Sequence, residues 1–213
     1  MGLFAKAAGY LHDRGILRRR VSALASAIAP LLPKSARVLD VGCGDGLLAQ
    51  ALLEMRPDLR IEGVDVLVRA GTPIPVRAFD GTRLPFADDE YDVAMAIDVF
   101  HHAENAEALM AEMKRVARGP LVIKDHLLHG LPSELILRAM DWVGNSRHGV
   151  RLPFSYWSEA EWRSAWDRCG VRPVSIVRHL NLYPFPLSLV FEQDLHFIAT
   201  LEPTNRLAAS PGR

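Results

Sequence analysis

Cysteine is scarce in this chain of 213 residues, which has only Cys43 and Cys169. The two fall in unrelated contexts, which excludes a disulfide scaffold, a redox pair and a cysteine-rich zinc site. A reducing, cytoplasmic setting is the simplest expectation. Net charge is missing as well: Lys plus Arg and Asp plus Glu both total 25. That balance argues against a strongly electrostatic nucleic-acid binder, so no nucleic-acid partner is expected. No apolar run reaches transmembrane length, and MGLFAK lacks the hydroxyl residue at position six that myristoylation uses. Catalytic-triad and metal motifs are absent too. His126 and His129 lack acids at convincing ligand spacing, so no metal is expected. Against these absences stand 49% hydrophobic and 23% charged residues, ordinary values for a globular domain able to bury a substantial core.

What is present is organised around residues 38–46, VLDVGCGDG, with Asp65 as their distant partner. Val38, Leu39 and Val41 read as the end of a buried strand. Gly42, Gly44 and Gly46 mark a sharp turn, and Leu47, Leu48, Ala51 and Leu52 recur at helical spacing. Strand, glycine loop and helix make the first crossover of an open α/β sheet. A second strand over residues 61–66 carries Asp65 near its end, about 20 residues beyond the loop, where a carboxylate can accept from both hydroxyls of a ribose. A dinucleotide site wants G-x-G-x-x-G, whereas this loop reads G-C-G-D-G and puts Asp45 where phosphates would lie. Asp40, at the strand end, makes better sense beside a cation.

VLDVGCGDG followed by GVD resembles motif I and the acidic loop of class I S-adenosylmethionine-dependent methyltransferases. Residues 84–102, LPFADDEYDVAMAIDVFHH, resemble the LPF…FD…H pattern of their small-molecule subgroup, often called type 11. The resemblance implies a Rossmann-like, doubly wound α/β sheet of seven strands in the order 3-2-1-4-5-7-6, the last antiparallel, with helices on both faces. It implies S-adenosylmethionine as cofactor, held by Asp40, Gly42, Cys43, Gly44, Asp65, Val66, Asp80, Gly81, Ile97 and Asp98. In this family the acid after the third strand accepts from the adenine amino group, a role that falls to Asp80. His101 or His102 is then expected near the transferred methyl. The implied chemistry is in-line displacement of the sulfonium methyl, in which alignment and exclusion of water do most of the work.

The chain divides into an N-terminal helical segment over the cleft, 1–33, a methyltransferase domain, 34–201, and a disordered tail, 202–213. The first segment is expected as two helical pieces broken near Gly15. Arg14, Arg18, Arg19 and Arg20 form a solvated face or one that touches a membrane surface or acidic partner. Residues 66–78 hold Gly71, Pro73 and Pro75, which leave no room for more than a turn of helix. At the end of the fifth strand, Lys124 and His126 share one face and Asp125 takes the other. His126 is the best candidate for a substrate-side proton acceptor, because an ordinary imidazole titrates near neutrality. Residues 131–157 read as a lid insertion, a helix and then a polar loop, with Trp142, Asn145, His148 and Tyr156 as pocket walls and Tyr183 joining from a later loop. Ser158 and Glu161 form a capping box.

The acceptor is expected to be a small, rather apolar metabolite methylated on oxygen or carbon. No Asn-Pro-Pro-Tyr-type tetrapeptide follows the fourth strand, where IDVF stands. Two rivals stay open: a silent S-adenosylmethionine-binding partner or regulatory subunit, and an NAD-linked oxidoreductase. Nothing in the sequence sets the oligomeric state.

Overall fold

The computed structural model describes residues 3–145 and 154–204, with side chains over 15–142 and 154–204. Strands β1 (Arg37–Val41), β2 (Arg60–Asp65), β3 (Val76–Ala78), β4 (Val93–Ile97) and β5 (Leu121–His126) pair in parallel. Strand β7 (His196–Pro203) lies antiparallel between β5 and β6 (Val171–Val177). The sheet order is β3-β2-β1-β4-β5-β7-β6, the order that the resemblance implies. Helices α1 (Leu3–Ile28) and α2 (Leu47–Met55) contribute to one core cluster, and α3 (Ala106–Val116) and α5 (Glu159–Arg168) to another. Helix α4 (Leu131–Asn145) follows β5, and a short turn, α6 (Ser188–Phe191), precedes β7.

Alternation along the strands feeds both cores. Val38, Met95, Val122 and Ile198 pack with Leu24, Ile28 and Leu52 on one face. Leu39, Ala94, Ile123 and Phe197 pack with Met110, Met113, Trp162 and Trp166 on the other. A parallel sheet buried on both faces needs such continuous apolar strands, and that is why β4, VAMAI, reads as an unbroken hydrophobic run. The Ser158–Glu161 capping box forms at the start of α5, and no helix separates β2 from β3.

Two expectations change. Helix α1 runs unbroken through Gly15, because an internal glycine costs only about 1 kcal/mol relative to alanine and keeps its backbone N–H. Strand β7 extends to Pro203, and Thr204 N–H donates to the Gly170 carbonyl at 3.0 Å, so the tail cannot begin at 202; residues 205–213 lie outside the described ones. The polar loop at 146–153, with His148, lies outside them too.

The glycine loop rests on β2. A Cβ at Gly63 would stand 2.4 Å from Cys43 Sγ and 3.1 Å from Ile74 Cδ1, so only glycine lets the loop settle there. Gly63→Ala is expected to cost about 1–3 kcal/mol, roughly 2–4 °C of Tm per kcal/mol at this chain length. Adding Cys43→Ala should recover part of that loss in thermal melts. Simple additivity of the two losses would show that the contact is not the cause.

Candidate active site

The carboxyl ends of β1, β2 and β4 meet at the crevice where open α/β sheets bind ligands. Gly42 and Gly44 hold φ of +70° and +58°. At Gly42 an added Cβ would strike Val99 Cγ2 at 2.5 Å, whereas at Gly44 it would meet nothing within 4 Å. The loop is thus closed below and open above. Asp65 pins it: its Oδ2 accepts from Gly44 N–H and its Oδ1 from Leu67 N–H, both at 2.8 Å. Val66 and Leu67 stand 63% and 50% exposed beside this opening, apolar surface with no protein cover. Asp80 is exposed and uses Oδ1 to close a turn onto Thr82 and Arg83, which holds its carboxyl down at about 2. Gly81 follows at φ +84° with Val66 beside it.

Cys43, also named for the cradle, adds side-chain packing beneath the loop. Its side chain packs against Gly63 and Ile74 or their near neighbours rather than standing free, and burial with the Asp40 and Asp65 charges pushes its thiol up to about 12. It is a packing residue of the loop. Asp45 Oδ1 accepts from Leu47 N–H at the start of α2, 3.2 Å away, so an acid already serves the helix end that a pyrophosphate would need.

A dense polar cluster fills the ends of β4, β5 and β7. Asp98, left-handed at φ +59°, accepts from the fully buried Lys124 ammonium and from Arg20 of α1 at 3.2 Å. Arg20 also lies over the Tyr183 ring, 5.5 Å from its centroid. Its place on a solvated helix face is therefore corrected: the ion pair draws it inward. Ile97, paired in register with Lys124, leads the chain into Asp98.

The imidazoles follow from their partners. His196 Nε2 faces the Phe191 carbonyl at 2.9 Å, and a carbonyl only accepts, so Nε2 carries the proton and Nδ1 the lone pair. His126 Nδ1, 3.1 Å away, and the Lys124 ammonium, 3.3 Å away, both face that lone pair, and the tautomer of His126 that donates from Nδ1 is the one that joins this network. The lone pair of His126 is left on Nε2, 3.5 Å from Asp98 Oδ1. Trp162 Nε1–H donates to the His126 carbonyl at 3.1 Å and fixes that strand end. Burial, reinforced by Lys124, holds both His126 and His196 well below the usual imidazole range. His126 is therefore neutral near pH 7.

His101 behaves oppositely. Burial would lower it, but Asp125 Oδ1 at 2.7 Å from Nδ1 and Asp141 Oδ1 at 3.3 Å from Nε2 outweigh this and raise it to about 10. In that state both ring nitrogens carry protons, and His101 does not act as a base. Asp125 also accepts from Phe100 N–H and His126 N–H, tying β5 to the 100–102 turn. His102 is lowered by burial and by neighbouring His101, and its Nδ1 has no hydrogen-bond partner. Tyr156 stacks on His101 and donates to Asp141 Oδ2 at 2.5 Å. Tyr183 packs beside His196. Trp142, by contrast, is 62% exposed, and the side chain of Asn145 lies outside the described ones.

Asp141, His196 and Arg20 escaped the sequence reading of the site. They reach it from a helix, the last strand and the first helix, and no local spacing links them. A groove of about 800 Å³ between α1 and α2, lined by Leu17, Val21, Gln50 and Met55 among others, holds none of the cluster residues.

Burial and the nearby Asp65 raise Asp40 from 3.8 to about 8. A carboxyl raised in the folded state makes the fold less stable as pH climbs between those values. Asp40→Asn should therefore raise the Tm of the ligand-free protein by a few degrees above pH 8 and leave it nearly unchanged at pH 4. A fall in Tm at both pH values would contradict the burial argument.

Residues 10–176 match the family model described as "Methyltransferase domain". The 27-O-demethylrifamycin SV methyltransferase of Amycolatopsis mediterranei is 28% identical over 145 residues, 60% of this chain and 53% of that one. The chain thus spans about half the length of the curated relatives it matches. Among solved structures, a methyltransferase in complex with the Haloferax volcanii Trm112 activator superposes at TM-score 0.68 with 18% identity, covering 95% of this chain and 98% of that one. The Burkholderia thailandensis 1,6-didemethyltoxoflavin-N1-methyltransferase, solved with 1,6-didemethyltoxoflavin and S-adenosylhomocysteine, gives 0.64 at 19% identity over 94% and 86% of the chains. These two likenesses show the fold. The family match, which covers the glycine loop, Asp65, Asp98 and the β5 cluster, makes this chain a member of the methyltransferase-domain family.

Proposed function

We propose that the protein uses S-adenosylmethionine to methylate an oxygen or carbon of a small, largely apolar metabolite. The observation that carries this reading is the placement of His126 Nε2, 3.5 Å from Asp98 Oδ1, at the same strand ends as the glycine loop and Asp65. The residues fit the cofactor. Gly42 and Gly44 open the loop, Asp65 offers remaining lone pairs to ribose hydroxyls, and exposed Val66 and Leu67 offer a face to adenine. Asp40, close to neutral while buried, is suited to ionise only when a cation such as the cofactor's ammonium arrives. When bound, S-adenosylmethionine supplies a methyl already activated by its sulfonium charge.

The chain's own task is alignment and proton removal. His126 Nε2 accepts the proton of an acceptor hydroxyl, and Asp98 at 3.5 Å stabilises the imidazolium that results. Arg20 and Lys124 keep Asp98 ionised despite its burial. Exposed Leu131 and Leu135 of α4, with Phe185 and Leu189, supply apolar surface for the acceptor. The Amycolatopsis relative's name points to an oxygen acceptor in that protein, which favours oxygen here. The two cysteines are free, which supports a cytoplasmic setting, and no described helix is long and apolar enough to cross a membrane.

Titration calorimetry with S-adenosylhomocysteine and, separately, NAD tests the cofactor. Micromolar binding of the first alone is expected, weakened at least ~10-fold by Asp65→Asn, a loss of about 1.4 kcal/mol. Binding of NAD alone would overturn the proposal. With a hydroxyl acceptor, His126→Gln should lower kcat by about 100-fold or more while KM changes little. Because His126 lies well below the ordinary imidazole range, the wild-type rate should stay flat from pH 8 down past pH 6.5 and fall only in more acid solution. A rate that halves near an ordinary imidazole pKa would remove His126 from this role.

A further inference from the structure

Methyl transfer as proposed leaves three buried or half-buried groups unused: His101, His102 and Asp141. Asp125 holds His101 Nδ1 at 2.7 Å, while His101 Nε2, in a side chain only 2% exposed, has Asp141 Oδ1 3.3 Å away as an ion-pair neighbour but makes no well-aligned hydrogen bond. His102 Nδ1 is buried without a partner. Buried polar atoms are nearly always satisfied, so two such nitrogens on adjacent residues call for a common occupant. One ring nitrogen of each histidine and one oxygen of Asp141 all lie within 4.8 Å of one another. The other Asp141 oxygen is held by the Tyr156 hydroxyl.

We infer that His101 Nε2, His102 Nδ1 and an Asp141 oxygen bind a divalent transition-metal ion of the zinc type. Ligand bonds of about 2.0–2.1 Å put neighbouring donors of a tetrahedral ion roughly 3.3 Å apart. The His101 Nε2 to Asp141 Oδ1 separation is 3.3 Å, and a modest rotation of half-buried His102 brings in the third donor. Asp125 plays the part of the carboxylate that anchors a ligand imidazole through its other nitrogen and turns the lone pair toward the ion. Two imidazoles and a carboxylate suit zinc or iron(II), and three protein ligands leave a position for water or a hydroxyl oxygen. A proton on His101 Nε2 would satisfy that atom alone and leave His102 Nδ1 unpartnered, whereas an ion occupies both. Spacing along the sequence could not assemble this set, because Asp141 arrives from α4, 39 residues beyond His102.

The test uses the full chain without an affinity tag, stripped with EDTA and titrated with Zn²⁺ by calorimetry and with Co²⁺ by absorption. One equivalent per chain is expected, with a tetrahedral or five-coordinate Co²⁺ spectrum. His102→Ala and Asp141→Asn should each weaken binding at least ~10-fold, with near-UV circular dichroism reporting the fold, while His129→Ala leaves binding unchanged. Absence of saturable binding in the wild type, or binding that survives both variants, would overturn the inference and leave His101 as a protonated link between Asp125 and Asp141. S-adenosylhomocysteine binding by the metal-free protein is read in the same series, so failure of the metal site and failure of the methyltransferase reading give different results.

Discussion

A lysine with no exposed surface sits in the middle of a parallel sheet, and the architecture around it answers that charge. Lys124 of β5 is buried on every side, and the carboxylate that neutralises it, Asp98, stands at the end of the adjacent β4. Removing Asp98 would strand the ammonium in a low-dielectric interior, a cost of about 3–5 kcal/mol. Asp98 meets Lys124 from a left-handed backbone, a conformation aspartate accepts more readily than most residues. The same carboxylate draws Arg20 across from α1, so the first helix is attached to the site by charge as well as by apolar packing.

A second consequence is the division of labour among histidines. His126 and His196 lie on the Lys124 side, and burial with a neighbouring cation keeps them neutral. His101 lies on the Asp125 and Asp141 side, where two carboxylates favour a positive occupant. Strand alternation produces this separation, because Lys124 and His126 project from one face of β5 and Asp125 from the other. Asp125 also collects backbone N–H groups from Phe100 and His126, which makes the 100–102 turn rigid relative to β5. Rigid placement is what the proposed methyl transfer would need, since such catalysis rests mainly on alignment.

Much of the fold was legible along the chain. VLDVGCGDG, the spaced Asp65 and the apolar runs at β4 and β5 all obey local rules, and each formed the element expected. The Ser158–Glu161 cap and the helix-free 66–78 segment did so too. Gly15 misled because a glycine weakens a helix without breaking it. His101 misled because adjacent histidines look alike until their carboxylate partners are known.

The sequence by itself determined the glycine cradle, the acid at the end of β2 and the face on which His126 lies, since these depend on backbone preference and on periods of two and 3.6 residues, while the order of strands followed from the family resemblance. Only the tertiary structure decided which ring nitrogen of His126 keeps a lone pair, which histidine sits among carboxylates, and that Arg20 closes onto Asp98. Those outcomes depend on contacts between residues 24 to 78 positions apart, through burial and Coulomb forces that act through space, and neither leaves a periodic trace in the chain.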